Sequence, residues 1–265
     1  MKQDILNSLP GDHPWQNHLI CFDSIDSTNN AAKEMAKDGA PEGTVVVAKA
    51  QTAGRGRLGR SFHAPAGFGL YFSVVLRPNC APEQLMHLTC AAAVAACNAV
   101  ESICEHRPQI KWTNDLVSGG KKLGGILTEL SMNSAGIVEW AVIGIGINCR
   151  HTKKDFPPEL KNMATSLLQI TGKAISPADL AAKLMTSLLD IRNDLLPNKD
   201  AILNAYRQDC MTLNQQVVLV RGDEKRYGTA LDIDSAGGLI VRFQDGTTEC
   251  VQSGEISVRG LYGYV

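Results

Sequence analysis

Three arginines separated by glycines, in the run Gln51-Thr52-Ala53-Gly54-Arg55-Gly56-Arg57-Leu58-Gly59-Arg60, form the densest group of chemically capable side chains in the sequence. Each guanidinium presents a planar fork of donors suited to a carboxylate or a phosphate, and glycine lets the backbone take left-handed angles and approach a ligand closely. The run reads as an anion clamp with no room for a regular helix or strand. It lacks the Gly-Lys-Ser/Thr ending of a P-loop and does not lead into a helix, so side chains would have to supply the phosphate geometry. On these residues alone the anion belongs to a nucleotide or a nucleic acid, or the loop is merely solvated. Two further cations lie downstream, Lys111 in Lys111-Trp112-Thr113-Asn114-Asp115 and Lys122 in Lys121-Lys122-Leu123-Gly124-Gly125. The paired glycines imply close backbone packing or ligand approach. Asn114 and Asp115 carry oxygens of the kind Mg²⁺ takes together with waters and substrate phosphates. A lysine ending a strand is equally a solvated edge residue.

These side chains need elements to hold them. Leu19 to Phe22 reads as a strand, and Asp26-Ser27-Thr28-Asn29-Asn30 offers N-cap chemistry to a helix over 31–37. The β-branched run inside 43–50 predicts a buried strand that delivers Gln51 and the arginine loop at its end. Further strands are expected over 70–76, 109–112, 116–117, 123–130 and 137–147, with 109–130 folding as consecutive antiparallel strands. The 137–147 segment is nearly all apolar and carries Gly144 and Gly146, which predicts a central strand with something packed close at the glycines, ending at Asn148. Alanine-rich composition predicts a helix from Pro82 to about Glu105, and Ser176-Pro177-Ala178-Asp179 starts another with Leu180, Leu184, Ser187, Leu188 and Ile191 on one face. Beyond Met211, short alternating runs between glycine turns predict a small antiparallel barrel or sandwich. The chain is therefore expected to be α+β: a mixed or antiparallel sheet with helices on one face over 1–211, then a small β-domain over 212–265. Residues 1–19, interrupted by Pro10, Gly11 and Pro14, are too short and broken for a helix-turn-helix.

A net charge of −1 creates no general field toward DNA, RNA or anionic lipid, so the loop's charge is local. Eight cysteines without a CxxC pair or a Cys/His cluster fit reduced thiols in a cytosolic protein better than a disulfide scaffold. Cys90, Cys97 and Cys104 recur every seven residues, which on a helix separates neighbours by roughly 10 Å, and they read as small core residues. There is no signal-type start and no run of about twenty apolar residues, so a soluble, cytoplasmic protein without membrane contact is expected.

Taken in order, the loop Gln51 to Arg60, Pro65, Gly67, Leu70-Tyr71-Phe72-Ser73, Lys111 to Asp115, Lys122-Leu123-Gly124-Gly125-Ile126-Leu127, Gly144-Ile145-Gly146-Ile147-Asn148 and Gly254-Glu255-Ile256-Ser257-Val258-Arg259 resemble the biotin protein ligases. The resemblance runs from about residue 20 to the C-terminus. This chain departs from the family at Phe62 and Ala64-Pro65, where the family often has Trp and Ser-Pro, and at Thr113, where it often has proline. Some members carry an N-terminal DNA-binding helix-turn-helix, and the form resembled here is the ligase without it.

The resemblance implies a ligase domain of the class II aminoacyl-tRNA-synthetase type followed by an SH3-like barrel. It implies a reaction in which biotin and ATP, with Mg²⁺, give biotinyl-5'-AMP, and biotin then passes to one lysine of a carboxylase's biotin carboxyl carrier protein. By the same resemblance Ser27, Thr28, Asn29 and Gln51 would recognise biotin's ureido ring and neighbouring polar atoms. Arg55, Gly56 and Arg57 would cover biotin and phosphates, and Lys122 would reach the biotin carboxylate. Lys111, Asn114 and Asp115 would serve ATP, with Asp115 also at Mg²⁺, and Asn148 and Arg259 would contact the nucleotide. Arg57, Lys111 and Lys122 carry the chemistry in this reading. Ser27 and Thr28 read equally as helix caps, Asn148 as a strand-end turn and Arg259 as a surface ion pair. A lipoate-protein ligase or a non-enzymatic biotin-responsive regulator are the rival readings, DNA is not an expected partner, and an exposed sheet edge would allow a side-by-side homodimer.

Overall fold

The computed structural model describes residues 1–221, 223–252 and 257–260, with Arg221 and 257–260 by backbone alone. Its larger part is built on a seven-stranded sheet: β1 Leu19–Phe22, β2 Val45–Ala48, β3 Gly69–Leu76, β4 Gln109–Lys111, β5 Asp115–Ser118, β6 Lys121–Met132 and β7 Val138–Asn148. The order is β1-β2-β3-β7-β6-β5-β4, so β7 lies at the centre as its apolar composition requires. β1 and β2 run parallel and the other neighbours antiparallel.

Every residue of β2 and of β3 is buried, which demands cover on both faces of the sheet. That corrects the expectation of helices on one face. Helix α2, Thr28–Lys37, presses Ala32 and Ala36 onto Val46, Val75, Trp140 and Val142 on one side. Across the sheet, α3 (Leu88–Cys104), α5 (Pro177–Asp194) and α6 (Lys199–Asp209) enclose the main core, and the short α4 spans Leu167–Thr171. Leu180, Leu184 and Leu188 of α5 are buried as the helical spacing predicts, each stabilising the fold by about 1.5–3 kcal/mol relative to exposure. Ser176 caps this helix by accepting the Asp179 N–H at 3.3 Å.

One expectation is revised here, and two others gain detail. The first nineteen residues contain α1, Lys2–Ser8, whose Ile5 is buried with Leu9 and Trp15 and whose Ser8 hydroxyl donates to Asp179 Oδ1 at 2.6 Å, so this segment belongs to the core. The alanine-rich helix does not run unbroken from Pro82: a 3₁₀ turn over Pro82–Leu85 precedes it, and buried His87 pairs its Nε2 with the Leu195 carbonyl at 2.8 Å. The stretch Pro82–Cys104 is long and apolar enough to cross a membrane by length and composition, although polar residues interrupt it, and its helix is packed in the core. Cys90 and Cys97 are buried there and Cys104 half-buried.

The C-terminal strands β8 Gln216–Arg221, β9 Glu224–Ile233, β10 Leu239–Phe243, β11 Thr248–Val251 and β12 Ser257–Gly260 form one antiparallel sheet in the order β11-β10-β9-β8-β12. Among the described residues β11 and β12 do not pair, so the small domain is an open sheet where a closed SH3-like barrel was expected. Its β9–β10 turn reaches back to the larger part: the Trp112 indole N–H donates to Gly237 O at 3.0 Å.

Candidate active site

The arginine loop leaves the end of β2 and is tied down at its root, with the Thr52 and Ala53 N–H groups donating to Ile25 O and Asp26 O. It returns as a narrow hairpin, with Phe62 N–H to Gly54 O at 2.8 Å and Gly56 N–H to Arg60 O at 2.7 Å. Its left-handed residues are Leu58 at φ 55° and Gly59 at φ 71°. Gly54 serves close packing instead: a Cβ there would meet Phe62 O at 2.5 Å. The loop covers a cavity of about 460 Å³, within the range of small-molecule sites.

The floor is made where side chains are missing. The Asn29 side chain occupies the space above Gly144, and a Cβ on Gly146 would lie 2.7 Å from the Phe62 ring. Phe62 also meets Tyr71 edge-on at 6.4 Å. Of the paired glycines, Gly124 lies against the Gly146 carbonyl, and Gly125 opens the room in which Lys122 meets Asp115.

At one end of the cavity stands a polar wall. Ser27 occupies the N-cap position of α2 but makes no capping hydrogen bond with its side chain. Gln51 serves instead, its Oε1 accepting the Thr28 N–H at 2.8 Å and lying 3.1 Å from Thr28 Oγ1. Asn29 donates to Leu127 O at 3.3 Å and to Glu129 Oε2 at 3.1 Å. Burial opposes ionisation of Glu129, but hydrogen bonds from Lys33 and Asn29 and the charge of Arg55 outweigh it and hold the carboxyl below its ordinary range.

At the other end stand the cations. Lys122 Nζ lies 2.5 Å from Asp115 Oδ1, and Arg57 donates to Asn114 Oδ1 at 3.0 Å. Burial beneath the loop pulls the Arg57 guanidinium below the ordinary arginine range, with Asp115 pulling the other way. Asn114 is fixed by donating to Ile126 O at 2.8 Å. Lys111 sits opposite Asp115 in the β4–β5 pair and lines the same cavity. The strand turn between them is held from behind, where buried Tyr206 donates to Thr113 O at 3.1 Å. Arg55 is drawn to the rim, where it pairs with Glu129 at 3.1 Å and donates to Asn30 at 2.9 Å.

Eleven of the expected residues therefore line one cavity: Ser27, Thr28, Asn29, Gln51, Arg55, Gly56, Arg57, Lys111, Asn114, Asp115 and Lys122. Asn148 does not; it is buried and donates to Thr165 O at 3.0 Å. The Arg259 side chain lies outside the described residues. Sequence reasoning gave no role to Ser73, Glu129 or Met163. The first two had a signal, being isolated polar residues in buried or alternating strands. His63 packs against His151 at 6.1 Å between ring centroids and does not line the cavity.

Residues 21–148 match the Biotin/lipoate A/B protein ligase family and residues 212–259 the Biotin protein ligase C terminal domain. The chain is 38% identical over 233 residues to the bifunctional ligase/repressor BirA of Bacillus spizizenii, covering 86% of this chain and 70% of that protein. It is 32% identical over 237 residues to the biotin–[acetyl-CoA-carboxylase] ligase of Mycobacterium tuberculosis, covering 87% and 85%. Among solved structures, the biotin protein ligase of Aquifex aeolicus in complex with biotin and ATP superposes with a TM-score of 0.77 at 30% identity, over 91% of this chain and 98% of that one. This chain belongs to the biotin protein ligase family.

Proposed function

We propose that the protein joins biotin to ATP, releasing pyrophosphate and holding biotinyl-5'-AMP, and then transfers biotin to a lysine of a biotin carboxyl carrier protein. One observation carries the reading: a single cavity sets a neutral, directional hydrogen-bonding wall at one end and a cluster of cations at the other. Biotin has this polarity, with a ureido ring at one end and a carboxylate at the other. The carboxylate must attack the α-phosphate of a polyanion, and like charges about 4 Å apart repel by roughly 4 kcal/mol per pair at an effective dielectric of ~20. Lys122, Lys111 and Arg57 offset that repulsion and favour the charge that develops on the departing pyrophosphate.

Thr28, Asn29 and Gln51 take the ureido end, Lys122 the biotin carboxylate, and Lys111, Arg57 and Asn114 the phosphates. Arg55 and Gly56 close the rim. Among the described residues no three carboxylate, histidine or cysteine side chains cluster. Asp115 is the carboxylate in the cavity, which suits Mg²⁺ that arrives on ATP and keeps the phosphates as its other ligands. Mg²⁺ bound there would neutralise phosphate charge. For transfer, positioning of the amine against the reactive anhydride supplies the acceleration. The catalytic unit spans 1–211 and the small domain 212–265 in this reading.

The test incubates the protein with ATP, Mg²⁺ and labelled biotin or lipoate, with and without a biotin carrier domain. Pyrophosphate release with biotin, and label on the carrier, are expected. Release with lipoate alone would transfer the chain to the rival substrate.

A further inference from the structure

Thr28, Asn29 and Ser73 are each at least nine-tenths buried, and together with Gln51 they form a chain of oxygens behind the cavity. Ser73 Oγ lies 2.7 Å from Asn29 Oδ1 and 2.8 Å from Thr28 Oγ1, and Thr28 Oγ1 lies 3.1 Å from Gln51 Oε1. Both ends of the chain are fixed. At one end the Thr28 backbone N–H requires the oxygen of the Gln51 amide, not its NH₂. At the other, the Asn29 NH₂ points at the Glu129 carboxylate and the Leu127 carbonyl, so the Asn29 oxygen must face Ser73.

Between two terminal acceptors stand only the hydroxyls of Ser73 and Thr28, and each brings one proton. Two protons serve three oxygen–oxygen contacts, so in every arrangement one contact lacks its hydrogen. Buried acceptors that face each other without a proton are costly. Ser73 is fully buried, whereas Thr28 and Gln51 reach the cavity. A ligand N–H that lies against both Gln51 Oε1 and Thr28 Oγ1 supplies the hydrogen which that contact lacks, while Thr28 donates to Ser73 and Ser73 to Asn29.

We propose that Ser73 and Glu129, neither of which lines the cavity, are positioning residues that set the polarity of this wall, so that the site selects its ligand for an N–H donor. The proposal rests on the biotin reading, in which the ureido ring supplies that donor. Glu129 acts through Asn29 and is itself kept ionised by Lys33 at 2.8 Å and Arg55 at 3.1 Å. Ser73 supplies the oxygen that creates the proton deficit. Ser73→Ala leaves one hydroxyl proton for one remaining contact and removes the demand for a ligand donor.

The test measures, by calorimetry without ATP, the affinity for biotin and for its two cyclic carbamate analogues, in which ring oxygen replaces one ureido N–H. The unaltered protein should bind at least one carbamate about 100-fold or more less tightly than biotin, since a site built around a hydrogen bond rejects the analogue lacking it. In Ser73→Ala that ratio should fall to about tenfold or less, and Glu129→Gln, which gives Asn29 an uncharged and reversible partner, should lower it as well. A melting curve close to that of the unaltered protein marks each variant as folded. Weaker binding of biotin and carbamate by the same factor, with the ratio intact in both variants, would make Ser73 and Glu129 mere supports and overturn the proposal. Absence of biotin binding in the unaltered protein would overturn the reading beneath it.

Discussion

Along one wall of the cavity Thr28, Asn29 and Ser73 are buried, and their polar atoms meet one another, Gln51 and Glu129. At the other end Lys122 is about one-third exposed and Arg57 half-buried, set on a strand start and a loop and facing Asp115 and Asn114. The wall has directions but little net charge, and the cationic end has charge with side chains long enough to re-aim. Buried hydrogen bonds discriminate because an unmet donor or acceptor has no water to turn to. Partly exposed cations attract any anion, and salt screens them. Selectivity is thereby assigned to the wall and acceleration to the cations.

The sharpest way to break this division is Lys122→Ala. It removes the cation assigned to the biotin carboxylate and leaves Asp115 without the partner at 2.5 Å. Biotin-dependent exchange of pyrophosphate into ATP should fall about 100-fold or more, the scale on which a charge-stabilising group is lost, while the melting curve stays close to that of the unaltered protein. Near-normal exchange would remove Lys122 from the site. A smaller effect is expected from Gly144→Ala, whose methyl group must displace the Asn29 side chain from the wall. Biotin should bind roughly 10- to 100-fold more weakly, as for other lost buried hydrogen bonds, and ATP affinity should hold. If ATP suffers as much as biotin, the two ends are not separable.

The cationic end was the more legible in the sequence. Arginines among glycines and lysines beside turns are conspicuous, and the order of the motifs carried them to one place. The wall was half hidden, because Ser27 and Thr28 look like caps and the capping acceptor turned out to be Gln51, more than twenty residues away. Ser73 stood in a family motif with no role attached, and Glu129 was a lone carboxylate in β6, since periodicity does not say which strands become neighbours. Similarly, the central position of β7 follows from its composition, but the second face of the sheet was missed because a helix as short as α2 fully buries only Ala32 and Ala36 in that core, with Ala31 and Met35 partly buried beside them. The open C-terminal sheet was beyond strand patterning, which reports alternation and not closure.

The least drastic test of the comparison uses acid. Behind the return limb of the arginine loop, His151 is fully buried, stacked on Phe156 at 4.6 Å, with neither ring nitrogen hydrogen-bonded. Burial, aided by the neighbouring His63, lowers its pKa to about 4, against the opposing charge of Asp155. The unfolded chain therefore binds the proton first, and the stability present above the ordinary value of 6.5 is lost as pH falls toward 4. At pH 5 the loss from this residue is about 2 kcal/mol, or roughly 4–8 °C of melting temperature in a chain of this size. His13 and His87, also lowered by burial, act in the same direction. His151→Phe should therefore keep part of the pH dependence and lose the share that belongs to His151. The wall behaves differently, because burial of Glu129 is outweighed by hydrogen bonds from Lys33 and Asn29, which hold its carboxyl below its ordinary range, so it is ionised at pH 5. Hydrogen exchange at pH 5 should thus show the amides of 54–63 losing protection before those of α2. Equal loss in both would mean that the loop and the wall are one cooperative unit, and the division of labour would have to rest on chemistry alone.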